Sequence, residues 1–183
     1  MLKYKYREDK TTQAAAHFIK LSNGTINHMK LIKLLYFADR CALLKWGRPI
    51  TFDGYVSMSY GPVLSFTLDK INYNDPCDDS SYWRIYISER CNNEVSLKKE
   101  APKDKLSRAE ENLLDKIWDE FGHMNEWELV DISHKLPEWQ DPEGSSRPIE
   151  IRDIFLAGGL SDEDFQEAMD ALVADQYIEN LLT

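Results

Sequence analysis

The chain has 183 residues, 43% apolar and 30% charged, with five Trp, nine Tyr and a formal net charge of −10. A chain of that length buries about 70% of the surface its unfolded form exposes, enough for one core and at most a small appendage. Intrinsic disorder is excluded by this composition. The longest uninterrupted apolar run, Leu34–Ala38, is far short of the roughly 18 residues that a membrane-spanning helix needs.

The N-terminal segment carries charges but no apolar stretch of signal-peptide length, and Cys41, Cys77 and Cys91 form neither a disulfide framework nor a zinc-ligand spacing. Both features lead to the expectation of a protein of the reducing cytoplasm. Charge is unevenly placed: residues 1–50 sum to +7, residues 51–100 to −3 and residues 101–183 to −14. The acidic half disfavours duplex nucleic acid as a partner, because it would repel phosphate. Oppositely charged ends lying against each other, or ordinary solvated helix faces, explain the asymmetry more simply than a basic partner does.

In chain order, residues 12–22 place Ala15, Phe18, Ile19 and Ser22 at helical spacing, with Asn23-Gly24 as a left-handed stop. Asn27 or Thr25 caps a second helix over roughly 28–45. Its apolar residues cover most of the circumference, and Lys30, Lys33 and Arg40 share one narrow polar stripe. Such a helix is central, packed by others on several sides. Trp46-Gly47-Arg48-Pro49 ends it. Phe52–Tyr60 is a predicted strand, and Gly61-Pro62 opens a predicted helix running to about Tyr73.

After a polar loop over 74–81, Tyr82–Ser88 and Glu94–Lys98 flank Cys91-Asn92-Asn93 as a predicted β-hairpin. Ser107 with Glu110, and Asn125 with Glu128, are capping boxes. The first opens a helix with a stripe of Leu113, Leu114, Ile117, Trp118 and Phe121 that stops at Gly122; the second helix ends before Pro137. Residues 140–150 are the most loop-like stretch, and Ser161 to Asp164 caps a last helix. The expectation is one α+β domain over residues 1–183, mostly α-helical, with a central apolar helix packed by other helices and a small antiparallel sheet.

No Gly-rich phosphate loop, Gly-x-Ser-x-Gly, His-Glu-x-x-His or Cys-x-x-Cys occurs. His17, His28, His123 and His134 are scattered, so no catalytic residue, metal ligand or cofactor is expected. Cys41, inside the apolar helix, is expected to be inert packing. Asp39 on the same helix must find a buried partner or reach solvent, and a structural ion pair is its expected role. Tyr55, Tyr60, Tyr82, Trp83 and Tyr86 cluster on predicted strands. Aromatics there serve core packing first, a protein partner second and nucleic acid a distant third.

Three ordered elements carry a family likeness: Lys30-Leu31-Ile32-Lys33-Leu34-Leu35-Tyr36-Phe37-Ala38, Trp46-Gly47-Arg48-Pro49-Ile50, and Ser59-Tyr60-Gly61-Pro62-Val63. Together they resemble the Panacea domain, also called the SocA-like antitoxin domain. Leu129–His134 and Pro137-Glu138-Trp139 are similar to the family's Ser/Thr-His and Pro-Trp elements. The likeness covers about residues 26–140; residues 74–105 and the C-terminal helix, at about 161–181, match no part of it. Arg40-Cys41 stands where the family usually has Gly-Trp or Tyr-Trp.

The resemblance implies an antitoxin of a type II toxin–antitoxin system, which neutralises a cognate protein toxin by direct binding. At least one family relative looks like an adaptor that hands its toxin to a cytoplasmic AAA+ protease, which is the first alternative. A small hydrolase-like enzyme using His134 with a carboxylate is the second. Aromatic and Arg side chains dominate interface hot spots, which singles out Arg40, Trp46, Arg48, Tyr55, Tyr60, His134 and Trp139 as exposed candidates for partner binding. Lys30, Lys33, Tyr36, Gly61 and Pro62 are expected to build the motif's framework.

Overall fold

The computed structural model describes residues 5–72 and 81–182. Its elements begin with helix α1 (Glu8–Leu21), a short strand β1 (Thr25–Asn27) and the helix that organises the rest, α2 (His28–Trp46). The Asn27 side chain accepts from the Met29 and Lys30 amides to start α2, and Gly47, at φ +69°, ends it. Leu31 through Asp39 are buried without interruption, as the nearly all-round apolar surface predicts. Helix α1 starts four residues earlier than its apolar spacing indicates. Its first turns bury Thr11, Thr12 and Gln13, which the pattern hides because they are polar. Both threonine hydroxyls donate to carbonyls one turn back, and Gln13 bonds to Tyr82 and Asp104.

The chain then forms a hairpin of β2 (Tyr55–Met58) and β3 (Gly61–Leu64), followed by α3 (Ser65–Asn72). Gly61-Pro62 therefore opens a strand, not the predicted helix. Pro62 is tolerated because β3 is an edge strand. Helix α3 begins only at Ser65, where the distant Asp53 carboxylate accepts from the Phe66 and Thr67 amides at 2.8 and 2.9 Å. A cap from twelve or more positions away leaves no local signature. The predicted end of that helix at Tyr73, together with Cys77 and Asp78-Asp79, lies outside the described residues.

The first arm of the predicted hairpin is mostly helix α4 (Tyr82–Tyr86), the second holds strand β4 (Glu94–Ser96), and the two arms bridge antiparallel only at Ile87 and Leu97. Ser81 caps α4 by accepting from the Arg84 amide, and Trp83 is fully buried. The turn itself forms, with Asn92 and Asn93 at φ +50° and +63° between bridged Cys91 and Glu94. Its return strand pairs along its length with β1, Ile26 opposite Val95, while the Ser88 amide still donates to the Ser96 carbonyl at 2.9 Å. Helices α5 (Arg108–Phe121) and α6 (Glu126–Ser133) begin at the two capping boxes, both fully formed. Within the loop-like stretch, β5 (Arg147–Ile149) pairs with β2. Helix α7 (Ile151–Ala157), too short for a periodicity to show, precedes α8 (Asp162–Leu182).

The fold is α+β and mostly helical: among the described residues, eight helices, an antiparallel sheet ordered β3-β2-β5 and a two-stranded sheet β1-β4. Helices α1, α5, α6 and α7 all pack on α2. Phe37 stacks on Phe121 at 4.7 Å between ring centres, and Leu34, Leu35, Phe18, Leu114 and Phe155 fill the shared core. No helix among the described residues is long and apolar enough to cross a membrane.

Candidate functional site

The motif residues on α2 form an inner frame. Lys33 is fully buried, and its Nζ donates to the Pro62 carbonyl oxygen at 2.8 Å. Burial pulls its ammonium down to about 7. Gly61 sits over this contact at φ +91°, and a Cβ there would lie 2.7 Å from Lys33 Nζ and 2.2 Å from Ser133 Oγ. Glycine is required twice, by the backbone angle and by the space. One turn earlier, Lys30 Nζ donates to the Gly122 carbonyl at 2.6 Å and lies 5.3 Å above the Trp118 ring, a cation at the C-terminal end of α5.

Asp39 is the second anchor, and the expected ion pair is not what holds it. Its carboxylate accepts from the Ile50 and Thr51 amides, the Thr51 hydroxyl and the Tyr55 hydroxyl. All four donors are neutral, and together they pin the Arg48-Pro49-Ile50 turn to α2. Burial raises its pKa, with the hydrogen bonds opposing. Tyr55, a candidate for partner contact, is only 4% exposed; as a buried donor to Asp39 it presents no surface. A third anchor comes from Pro137-Glu138-Trp139. The buried Glu138 carboxylate accepts from the Tyr36 hydroxyl at 3.0 Å and from Arg40 Nε at 2.7 Å. The Tyr36 hydroxyl is pushed up by burial and by the Glu138 charge.

Outside this frame lies a ridge of aromatic rings. Trp139 Nε1 donates to the Met58 carbonyl at 3.1 Å, and His134 Nε2 to the Ser59 carbonyl at 3.1 Å. The two rings stack at 4.1 Å. Next along the β2–β3 hairpin, Tyr60 meets Trp127 edge-to-face at 5.5 Å. These two side chains are 58% and 53% exposed. The ridge thus brings together Tyr60, His134 and Trp139 and adds Trp127, whose place at the start of α6 gave no sequence signal beyond its residue type.

Trp46 and Arg48 stand apart from the ridge. Trp46 is half-buried, with Lys45 Nζ 5.5 Å over its ring. Arg48 Nη1 lies 3.3 Å from Glu110 Oε1, which also takes Lys10 Nζ at 2.6 Å. The His134–carboxylate pair of the enzyme reading is not assembled: the ring's bond goes to a backbone carbonyl. A histidine–carboxylate contact does occur at His17 and Asp115, 2.7 Å apart, beside a cavity of only about 30 Å³, room for water alone.

No curated protein and no solved structure matches the chain. A family model does, described as "Antitoxin SocA-like, Panacea domain" and matching residues 31–140. That span holds Lys33, Asp39, Gly61, Ser133 and Glu138, and ends with the ridge at Trp139. With the framework and the match coinciding over more than half of its length, the chain belongs to the SocA-like antitoxin family, the family of the Panacea domain.

Proposed function

We propose that this chain is a cytoplasmic antitoxin that neutralises a cognate protein toxin by direct binding, through the ridge of Trp127, Tyr60, His134 and Trp139 with Arg40 at its edge. The observation that carries this reading is the Tyr60–Trp127 pair, two large aromatic side chains more than half exposed yet packed on each other and held by the family framework beneath. Exposed, rigid aromatics with an Arg nearby are the chemistry of interface hot spots. A stable complex built on them buries about 1,200–2,000 Å². The role is stoichiometric binding, and the family name points the same way.

Co-expression with the protein encoded by the adjacent reading frame tests this. Growth should be restored, and the two chains should elute together. Continued arrest in the presence of soluble antitoxin would refute it. Toxin half-life, measured in the same cells, separates occlusion of the toxin from its delivery to a protease.

A further inference from the structure

A pocket of about 310 Å³ opens between α2, the β2–β3 hairpin and the end of α3. That is the small end of the range for ligand sites, about 300–1,000 Å³. Its apolar wall is Met29, Ile32, Met58, Val63 and Leu68, and its cationic and imidazole groups are Arg90 and His28; Lys33 also lines it, but its Nζ is buried against the Pro62 carbonyl. No Asp or Glu stands among the described residues that line it. Such a space favours an anion with an apolar body over a cation or a zwitterion.

Arg90 is held in readiness for that anion. Its Nη1 donates to the Asn72 side-chain oxygen at 2.9 Å and contacts His28 Nε2 at 3.3 Å. His28 Nδ1 lies 2.9 Å from the Asn93 carbonyl oxygen, so Nδ1 carries the proton and Nε2 accepts from Arg90. Neither neighbour supplies a negative charge. With only Nη1 engaged, the edge formed by Nε and Nη2 meets no protein acceptor among the described residues. That edge has the geometry of bidentate carboxylate recognition.

The geometry points to a binding site for a carboxylate borne on a compact apolar group, with Arg90 gripping the carboxylate and Ile32, Met58 and Leu68 enclosing the body. Two sources share this chemistry: the C-terminal residue of a polypeptide and a free short aliphatic acid. A free amino acid is disfavoured, because its ammonium would lie beside Arg90 with no acid among the described lining residues to receive it. The site stands without the antitoxin reading. Tyr60 lines the pocket and also belongs to the aromatic ridge, so a chain seated on the ridge has its terminus within reach.

Calorimetric titration of the full chain with acetyl-Gly-Gly-Leu, the same peptide as its C-terminal amide, and 4-methylpentanoate tests the site. Saturable binding of the carboxylates is expected. The amide, and the Arg90→Gln variant, should bind at least about tenfold more weakly. Leu68→Trp, which fills the pocket, should abolish binding; if it fails to fold, Arg90→Gln at its exposed position decides alone. Peptide binding at least as tight as that of the free acid assigns a polypeptide terminus, and weaker peptide binding assigns the free acid. Equal binding of amide and carboxylate, no effect of Arg90→Gln in a folded variant, or no saturation by either carboxylate at millimolar concentration would overturn the site.

Discussion

The Lys33 ammonium donates to the Pro62 carbonyl oxygen at 2.8 Å, so a cation carried by the central helix and the start of an edge strand hold each other inside the core. Burial pulls its pKa down to about 7 from the ordinary 10.5. Between those values the unfolded chain binds more protons than the folded one, and the contribution of Lys33 to stability rises with pH. Lys33→Met removes that titration. The stability of wild type minus that of Lys33→Met should increase by about 2–3 kcal/mol from pH 6.5 to 9.5. Urea unfolding of both proteins at three pH values measures it, and a constant difference would refute it.

Asp53 slopes the other way. Burial pushes its carboxyl up to about 6, against hydrogen bonds from Thr67 and Phe66 that lower it. The folded state therefore holds a proton that the unfolded state releases between about pH 4 and 6. Its contribution is fully present below that window and lost as pH rises through it. In Asp53→Asn the fall in stability over this range should be shallower than in wild type, whatever the variant's absolute stability. The same urea series, run from pH 4 to 6.5, reads it.

Gly61→Ala should destabilise by at least about 2 kcal/mol, from the left-handed backbone and from contact with Ser133 Oγ and Lys33 Nζ. Adding Ser133→Ala removes the nearer of the two clashing atoms and should recover part of the loss while the backbone strain remains. Thermal unfolding of the single and double variants separates the two causes. Full recovery would show that the backbone angle costs nothing.

Arg40→Ala leaves the fully buried Glu138 side chain with the Tyr36 hydroxyl but without its cation. An uncompensated buried carboxylate costs about 3–5 kcal/mol. Combining Arg40→Ala with Glu138→Gln should restore more than half of that, because the charge that needed a partner is gone. A double-mutant cycle in urea gives the coupling; purely additive losses would refute the pair.

Tyr60→Ala and Trp127→Ala remove exposed rings and should change stability by less than about 0.5 kcal/mol each. Either should weaken toxin binding by at least about tenfold, as hot-spot truncations do. Unchanged affinity in a pull-down or titration would move the interface off the ridge.

Much of the frame was legible because its signals are local. Two capping boxes and the all-round apolar α2 need only a few neighbouring residues to be read. The errors in the strands and in the start of α3 share one physical cause, which is long-range partners. Asp53 caps α3 from across the hairpin, so the helix starts later than Gly61-Pro62 suggests. β4 pairs along its length with β1 and keeps its hairpin mate only at the Ile87–Leu97 end, and β5 is strand only because β2 offers it an edge. At the site, residue type picked out Tyr60, His134 and Trp139. It also picked out Tyr55, because an aromatic residue on a strand carries no mark of which face is covered. Trp127 lacked a neighbour until the fold brought Tyr60 to it.

The pairing of β5 with β2, Tyr55 opposite Ile149, extends the sheet past the last residue that the family model matches. A fragment trimmed at residue 140 would keep the whole ridge, yet bare one margin of β2 and strip Ile154 and Phe155 from the interior. Open strand margins recruit other chains, so such a fragment should precipitate. Failure to rescue cells would then reflect insolubility, and screening by domain boundary would misjudge the protein.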